Sequence, residues 1–321
     1  MKKKLIVILV LLLAAVLAAI FSFLLVFGPS FGIWLRRPSP QAYGERALAF
    51  MENGYYTSSE SWREVKAAAQ DALKDAKSYE DTWPVLREAL SAAGGKHSRL
   101  ITASGTDTGG KEKAELPRVS ADRMENGIVT LVIPAFTQDT EQAQEYAQIV
   151  ISWLREHQDA SGVIIDLRGN RGGDLAPMIA ALSPLLPDGE VLGTVFANGM
   201  QKMMTLKEGA FTGGSGISVD SFKMPETIPI AILTDEWTAS SGEAVLLAFR
   251  GLKNVRSFGA PTAGYASTNT VFKLYDGTQI VLTVGADAVP RTGEVFCDEP
   301  IVPDILTDSP ERDAAEWIRN R

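Results

Sequence analysis

The stretch IPIAILTDEWTASSGEAVLLAF, residues 228 to 249, decides the fold class of this chain. Its first six residues are apolar and rich in β-branched side chains, which predicts a buried strand. The segment after Gly242 has the pattern of a helix. Two hydroxyls, on Ser240 and Ser241, lie at the junction. Serine commonly caps a helix by accepting a backbone hydrogen bond in the first turn, so a capped helix after a core strand is one interpretation of the pair.

Strands and helices alternate on both sides of this stretch. Apolar runs at 128–133, 162–167, 191–196 and 255–258 predict further strands. Apolar residues spaced by three and four between 143 and 154 predict a helix. Such alternation is typical of an α/β fold with parallel strands, in which the loops at the carboxyl ends of the strands carry the functional residues.

A small helical region precedes this core. Apolar residues between 62 and 76 recur at helical spacing, and Ser78 with Asp81 resembles a capping box. The polar residues 101–124 predict a connection, and the glycine-containing residues 209–219 predict a mobile surface loop. We therefore divide the chain into a membrane anchor over 1–37, a helical cap region over 38–112 and an α/β core over 113–321.

The amino end predicts a membrane helix. Three lysines precede an apolar run from Leu5 to Phe27 that only Ser22 interrupts. At 1.5 Å per residue this run can cross a hydrocarbon layer of about 30 Å. A cleaved signal peptide is the alternative, but its apolar region is typically only about 7 to 15 residues long. We expect an uncleaved single-pass anchor in the cell membrane, with the lysines cytoplasmic and the rest of the chain outside the cytoplasm.

Composition excludes several classes of protein. The chain carries 31 Lys and Arg against 39 Asp and Glu, and all the excess of acid lies after residue 37. Nucleic acid is therefore disfavoured as a partner. A single cysteine, Cys297, excludes an internal disulfide, and two widely separated histidines offer no metal-ligand spacing. We expect neither a metal nor another cofactor.

A second abrupt strand end occurs in IIDLRGNRGGD, residues 164 to 174. Gly172 and Gly173 lie between the strand and a helix that begins near Leu175, so their N–H groups can face a cleft with no side chain in the way. Two convergent backbone donors suffice for an oxyanion hole, whereas the simpler interpretation is a tight turn. Phosphate binding is disfavoured because neither glycine-rich phosphate motif is present.

The alternative to a helix cap is that one of the two serines is a nucleophile. A serine nucleophile needs a base, and the chain has two histidines. His157 lies in the charged helix end REHQD, where we expect a solvated side chain. His97 follows two glycines after a helix and is flanked by Lys96 and Ser98, which is a suitable setting for a base. His97 is thus the candidate general base.

Three stretches in this order resemble the S41 peptidases, the C-terminal processing and tricorn-like serine proteases: GVIIDLRGNRGG, ILTDEWTASSGEAV and SFGAPTAG. The resemblance runs from about residue 45 to residue 306. It implies a core like that of ClpP and crotonase, with repeated ββα units, after a helical cap. In that family the nucleophile lies three residues before a helix glutamate, here Glu243, which indicates Ser240. The N–H of Ser241 and that of Gly172 or Gly173 would then face the oxyanion.

The chain departs from the pattern of many processing peptidases in two ways. Those enzymes use a lysine 25 residues after the nucleophile, where this chain has Tyr265. It therefore resembles the branch with a histidine base, with His97 in that role. The resemblance leaves the orienting acid open between Asp298 and Glu299, with Glu294 as another candidate. The second departure is the absence of a PDZ domain, since about 25 residues between the cap and the first core strand are too few to form one.

These observations predict a membrane-anchored serine endopeptidase that cleaves extracytoplasmic proteins or peptides through an acyl-enzyme. An extended peptide laid beside a strand edge would be the substrate. The alternative is a non-catalytic protein that binds peptides or apolar ligands on the same scaffold. An α/β-hydrolase is disfavoured because Thr238 occupies the position where its nucleophile elbow requires glycine.

Overall fold

The computed structural model describes residues 2–28, 33, 36–102, 116, 118–124, 127–137 and 140–321. The chain forms two compact units. The first comprises residues 1–108 and 270–282, and the second comprises 109–269 and 283–321. The segment 270–282 thus groups with residues far earlier in the chain, which a division into consecutive segments does not anticipate.

The helices are α1 (Lys2–Phe27), α2 (Pro40–Met51), α3 (Glu60–Ala72), α4 (Tyr79–Gly94), α5 (Thr140–Glu156), α6 (Leu175–Ala181), α7 (Ser241–Phe249) and α8 (Pro310–Arg319). The strands are β1 (Arg99–Ile101), β2 (Arg118–Met124), β3 (Ile128–Val132), β4 (Gly162–Asp166), β5 (Gly189–Phe196), β6 (Gln201–Lys207), β7 (Ala210–Phe211), β8 (Ile217–Ser218), β9 (Ile230–Thr234), β10 (Val255–Gly259), β11 (Ser267–Lys273), β12 (Gln279–Ala288), β13 (Val295–Phe296) and β14 (Ile305–Leu306).

The second unit contains the predicted parallel sheet. Its strand order is β14-β10-β9-β4-β3-β2, and every pair is parallel except β2 with β3. Strands β4 and β9 are buried along their whole length, as expected of strands covered on both faces. The predicted α/β class is therefore confirmed. Because the strands are parallel, the loops that follow β3, β4, β9 and β10 leave the same edge of the sheet.

Helices cover both faces of this sheet. The larger core packs side chains of α5, α6 and α7 against one face, and includes Phe136, Tyr146 and Phe249. The smaller core packs α8 against the other face, where Ile164, Leu233 and Phe258 contact Ala314 and Ile318. The apolar stripe predicted between 143 and 154 therefore points into the larger core.

An antiparallel sheet completes the second unit. Strand β5 pairs with β6, β6 with β7 and β7 with β8, while residues 285–288 of β12 pair with β5. Residues 209–219, which predict a mobile loop, instead supply β7 and β8 at the end of this sheet. The polar segment 101–124 is likewise more ordered than expected at its end, where 118–124 forms β2; residues 103–115 lie outside the described residues.

The first unit is mainly helical. Helices α2, α3 and α4 pack around Tyr43, Trp62 and Leu90, and the predicted capping box of Ser78 and Asp81 begins α4. Tyr43 donates a hydrogen bond to Asp276 at 3.1 Å, and β1 pairs with residues 279–281. These contacts explain why 270–282 belongs to this unit.

The predicted membrane anchor is not supported by the structure. The apolar run lies in α1. Within the described part of the chain, however, no helix meets the length and apolarity needed to cross a membrane.

Candidate active site

Four loops of the second unit meet at the carboxyl edge of the parallel sheet. The loop after β4 carries the two glycines, and the loop after β9 leads to Ser240. The backbone N–H of Ala239 donates to the carbonyl of Asn170 at 2.9 Å, so the two loops are directly bonded. A Cβ built on Gly172 would lie 2.7 Å from the Cβ of Ser240. The sheet therefore brings the predicted nucleophile and the predicted glycine turn together.

Ser240 has an unusual backbone conformation. Its φ is 54° and its ψ is −118°, a region that residues with a Cβ rarely occupy. Conformations of this kind cost on the order of 1–3 kcal/mol and persist only where surrounding contacts enforce them. Here the N–H of Ser240 donates to the carboxylate of Glu243 at 2.9 Å. The strained junction is thus maintained by a specific contact, and strain of this kind is common at active sites.

Glu243 holds the nucleophile segment to the loop after β10. Its side chain is completely buried and also accepts hydrogen bonds from the Thr262 hydroxyl, the Gly264 N–H at 2.9 Å and the Tyr265 N–H at 2.7 Å. Burial raises the pKa of Glu243, and the hydrogen bonds partly oppose that rise. Tyr265, at the position of the family lysine, therefore contributes its backbone to this network.

Only one of the two glycines has an available N–H. The N–H of Gly172 donates to Asn170 Oδ1 at 2.9 Å and is therefore already engaged. Gly173 lies in a parallel bridge with Phe136, but the bonds of that bridge use the carbonyl of Gly172 and the N–H of Asp174. Among the described residues, no acceptor takes the Gly173 N–H. Of the two glycines predicted as oxyanion donors, the geometry therefore favours Gly173.

The side chain of Ser241 binds the glycine turn. The Ser241 hydroxyl donates to the carbonyl of Gly173 at 2.6 Å, which fixes the glycine turn against the start of α7. The N–H of Ser241 lies in the first turn of this helix, where N–H groups have no partner within the helix. The Ser241 side chain thus positions Gly173, and its own N–H remains a candidate donor.

Gly173→Ala is expected to destabilise the fold by about 3 kcal/mol or more and to abolish activity. The φ of Gly173 is 115°, and a Cβ there would lie 1.9 Å from the carbonyl oxygen of Phe136. Gly169→Ala is the matched control, because Gly169 also has a positive φ, 72°, but a Cβ there would have no atom within 4 Å. The control should cost about 1 kcal/mol. Urea unfolding and peptidase assays measure both variants, and equal losses would contradict this account.

Two polar residues join the loops, and sequence reasoning missed both. Asn170 is buried and donates from its amide to the carbonyl of Ile133 at 2.8 Å. Asp235 accepts hydrogen bonds from the N–H of Gly169 at 3.0 Å and of Thr238 at 2.9 Å. The spacing of Asp235 and Thr238 is that of an Asx or capping turn, which is a signal the sequence does carry.

A buried acid lies in the part of β12 that belongs to the second unit. Asp287 is almost fully buried and accepts a hydrogen bond from the Thr268 hydroxyl at 3.1 Å. Burial raises the pKa of Asp287 to about 7, and the negative charge of Glu243 contributes to that rise. The sequence indicates this buried acid, because Asp287 lies within the apolar strand QIVLTVGADA.

His97 lies in the first unit, between α4 and β1. Only 8% of its surface is exposed. Burial lowers the pKa of His97 to about 4, with smaller contributions from the positive charges of Arg99 and Lys96. The imidazole is therefore neutral at physiological pH, which is the form that can accept a proton.

The other histidine is engaged elsewhere. The ring of His157 stacks on Trp153 with centroids 3.8 Å apart, and its Nδ1 lies 2.9 Å from the Trp153 carbonyl oxygen. His157 is thus a packed residue at the end of α5 and not the solvated one that its charged neighbours predict.

The three acid candidates differ in their surroundings. Glu294 forms a two-pronged ion pair with Arg250, both contacts being 2.7 Å, and this pairing lowers the pKa of Glu294 to about 2. It is therefore committed to Arg250. Asp298 is half-buried and Glu299 exposed, in the segment after β13. These two remain the predicted candidates for the acid.

Acyl transfer through serine needs a hydroxyl on a sharp turn at a strand end, with backbone donors beside it. Fold and site together therefore place this chain among the serine hydrolases. A family model described as peptidase family S41 matches residues 127–307. Since the match covers more than half of the chain, the chain belongs to peptidase family S41, and it is a serine-type peptidase.

Several known proteins are similar to this chain. The nisin-resistance protein of Lactococcus lactis subsp. lactis is 38% identical over 308 residues, which cover 95% of each chain. A solved structure described as a lipoprotein from Streptococcus agalactiae superposes with a TM-score of 0.78 at 32% identity, over 90% of this chain and 99% of that one. The photosystem II D1 C-terminal processing protease shares the fold, with a TM-score of 0.61 at 15% identity over 85% of this chain and 94% of that one.

The similarity to processing proteases is partial. The carboxyl-terminal-processing protease of Synechocystis sp. is 29% identical over 155 residues, which are 48% of this chain and 33% of that protein. The chain thus spans about a third of that relative but nearly the whole nisin-resistance protein.

Proposed function

We propose that this chain is a membrane-anchored serine endopeptidase that cleaves extracytoplasmic peptides, with Ser240 as nucleophile and His97 as general base. The main support for the proposal is the backbone conformation of Ser240. It adopts a strained conformation that Glu243 stabilises, directly beside the glycine turn. A residue that served only to cap α7 would have the relaxed extended conformation typical of a cap.

The mechanism we propose proceeds in two halves. In the first, the Ser240 hydroxyl attacks the scissile carbonyl while neutral His97 accepts its proton and then passes it to the leaving amine. The N–H groups of Ser241 and Gly173 stabilise the negative charge on the tetrahedral intermediate. In the second half, water attacks the carbonyl carbon of the acyl-enzyme while His97 takes a proton from that water. His97 then passes the proton to the Ser240 oxygen as the bond to serine breaks and the carboxylic acid product leaves. Asp298 or Glu299 would orient the imidazole.

His97 belongs to the first unit, and the proposed nucleophile Ser240 belongs to the second. Burial holds the pKa of His97 near 4, so the imidazole is deprotonated and can accept a proton at neutral pH. The same shift makes it a weaker base than an imidazole whose pKa lies near 7. Removing one oxyanion donor typically costs about 10²- to 10³-fold in rate, whereas removing a nucleophile or base costs far more.

A peptide related to nisin is the substrate we propose. The support is the relative named nisin-resistance protein, since the two chains match along nearly their whole length. The partial match to the processing proteases gives weaker support for cleavage at the carboxyl end of a protein.

The location outside the cytoplasm is part of the proposal and rests on the amino-terminal sequence alone. Lysines 2–4 followed by the apolar run Leu5–Phe27 are typical of an anchor with a cytoplasmic amino end. Fractionation of cells that express the full chain tests this, and recovery of the protein in the soluble cytoplasmic fraction would refute it.

Covalent labelling tests the chemistry directly. A fluorophosphonate probe reacts quickly only with an activated serine, so we expect one adduct per chain, on the tryptic peptide that contains Ser240. Mass spectrometry identifies the modified residue. Unmodified Ser240 under conditions that label a known serine peptidase would favour the alternative, a binding protein on the same scaffold.

A further inference from the structure

A tryptophan next to the nucleophile is left largely exposed. Trp237 lies three residues before Ser240, and 52% of its surface is accessible. Its neighbour Thr238 is completely buried. Tryptophan carries a large apolar area and is usually well covered in a folded chain, which makes an exposed indole beside an active site a candidate for ligand contact.

The indole is held by a cation from the opposite loop. The guanidinium of Arg171 lies over the Trp237 ring, 4.5 Å from its centroid. Arg171 directly precedes Gly172, the residue that packs against Ser240. Among the described residues, no carboxylate forms an ion pair with Arg171. The Arg171–Trp237 pair therefore adjoins the point where Gly172 packs against Ser240.

Hydrogen bonds hold the backbone that presents this pair. The N–H of Trp237 donates to Asp235 at 3.1 Å, and the Thr238 hydroxyl donates to the carbonyl of Leu167 at 3.0 Å. The same Asp235 carboxylate accepts the N–H of Gly169 from the opposite loop. Trp237 is thus an exposed apolar side chain on a fixed support. Such a residue binds a partner with little loss of conformational entropy, as interface hot spots do.

We propose that the Trp237 indole, positioned by Arg171, forms a subsite for an apolar substrate side chain close to the scissile bond. This inference rests on the proposed peptidase function and adds a determinant of specificity to it. The guanidinium lies over one face of the ring. Apart from its Nε1–H donor the indole is a carbon surface, which suits an aliphatic or aromatic side chain. A charged side chain would gain no comparable burial there.

Peptide pairs test the subsite. Each pair differs at a single position near the cleaved bond, with leucine or phenylalanine in one peptide and alanine in the other. For Trp237→Ala we expect kcat/KM to fall about ten-fold for the apolar peptide, mainly through KM, and to change little for its alanine counterpart. Trp237→Phe and Arg171→Lys should retain most of the preference. An equal loss for both peptides, or no loss, would overturn the proposal.

A binding measurement separates this inference from the proposed function. In the full chain with Ser240→Ala, addition of the apolar peptide should change tryptophan fluorescence, and the change should disappear when Trp237→Phe is added. Trp317→Phe is the matched control, because that indole also lies beneath an arginine, Arg321, at 5.0 Å. If the wild-type chain cleaves no peptide, the proposed function fails. If it cleaves peptides but the fluorescence change persists without Trp237, only the subsite fails.

Discussion

Ser240→Ala is expected to lower peptide hydrolysis by on the order of 10⁶-fold while the chain remains folded. Alanine retains the Cβ and the backbone of serine, so the contact between the residue 240 N–H and Glu243 survives. Serine and alanine at position 240 are subject to the same backbone strain. The free energy of unfolding should therefore change by less than about 1 kcal/mol. Steady-state hydrolysis and urea unfolding measure the two effects separately.

Ser241→Ala is the matched control for this prediction. It removes the neighbouring hydroxyl and its hydrogen bond to the Gly173 carbonyl, but it keeps the Ser241 N–H. We expect a loss of about ten- to a hundred-fold, because the glycine turn loses one support while the nucleophile remains. Full activity of Ser240→Ala, or a larger loss in Ser241→Ala, would show that the wrong serine is assigned.

His97→Ala is expected to reduce the rate by about 10⁴- to 10⁶-fold at neutral pH, because the variant lacks the proposed acceptor of the Ser240 proton. His157→Ala is the matched control, as it removes the only other histidine, which packs on Trp153. That variant should keep its activity. Loss of activity in His157→Ala together with full activity in His97→Ala would reverse the assignment.

The pH profile of the wild-type enzyme provides a second check on His97. Its ordinary pKa of 6.5 is lowered to about 4, chiefly by burial. The base is therefore neutral down to about pH 4, and the acid limb of kcat/KM should fall near that value and not near 6.5. Between 6.5 and about 4 the unfolded chain binds the proton more readily than the folded chain. His97 therefore contributes stability above pH 6.5 that is lost as the pH falls through this window.

Much of the fold follows from local patterns. The runs at 128–133, 162–167 and 255–258 form β3, β4 and β10, and the segment after Ser240 forms α7. Each pattern concerns residues that are neighbours along the chain, and burial on both faces selects β-branched residues in a parallel strand. The composition of residues 209–219 predicts a loop, but the segment contains the paired strands β7 and β8 at a sheet edge. Pairing there depends on a partner strand and not on composition.

The sequence indicates where the candidate residues lie along the chain, but it does not indicate which contacts each of them makes. The glycines and the paired serines lie at strand ends, where a parallel sheet collects functional groups. That the Gly172 N–H is engaged follows from the position of Asn170 Oδ1, which a sequence motif does not reveal. The hydrogen bonds of Glu243 join it to residues about twenty positions later in the chain. Asp235 and Gly169, which also form a hydrogen bond, are 66 positions apart.

The sequence by itself determined the α/β class, the order of the strands and helices, and the junctions where Ser240 and the glycines lie, because periodicity and turn chemistry act over a few residues. Only the tertiary structure decided which glycine N–H is available and that the Ser241 hydroxyl binds the Gly173 carbonyl. It also decided that 270–282 packs with the early helices and that Trp237 lies beneath Arg171. These features arise from contacts between segments distant in the chain, and such contacts form only when the whole sheet is assembled.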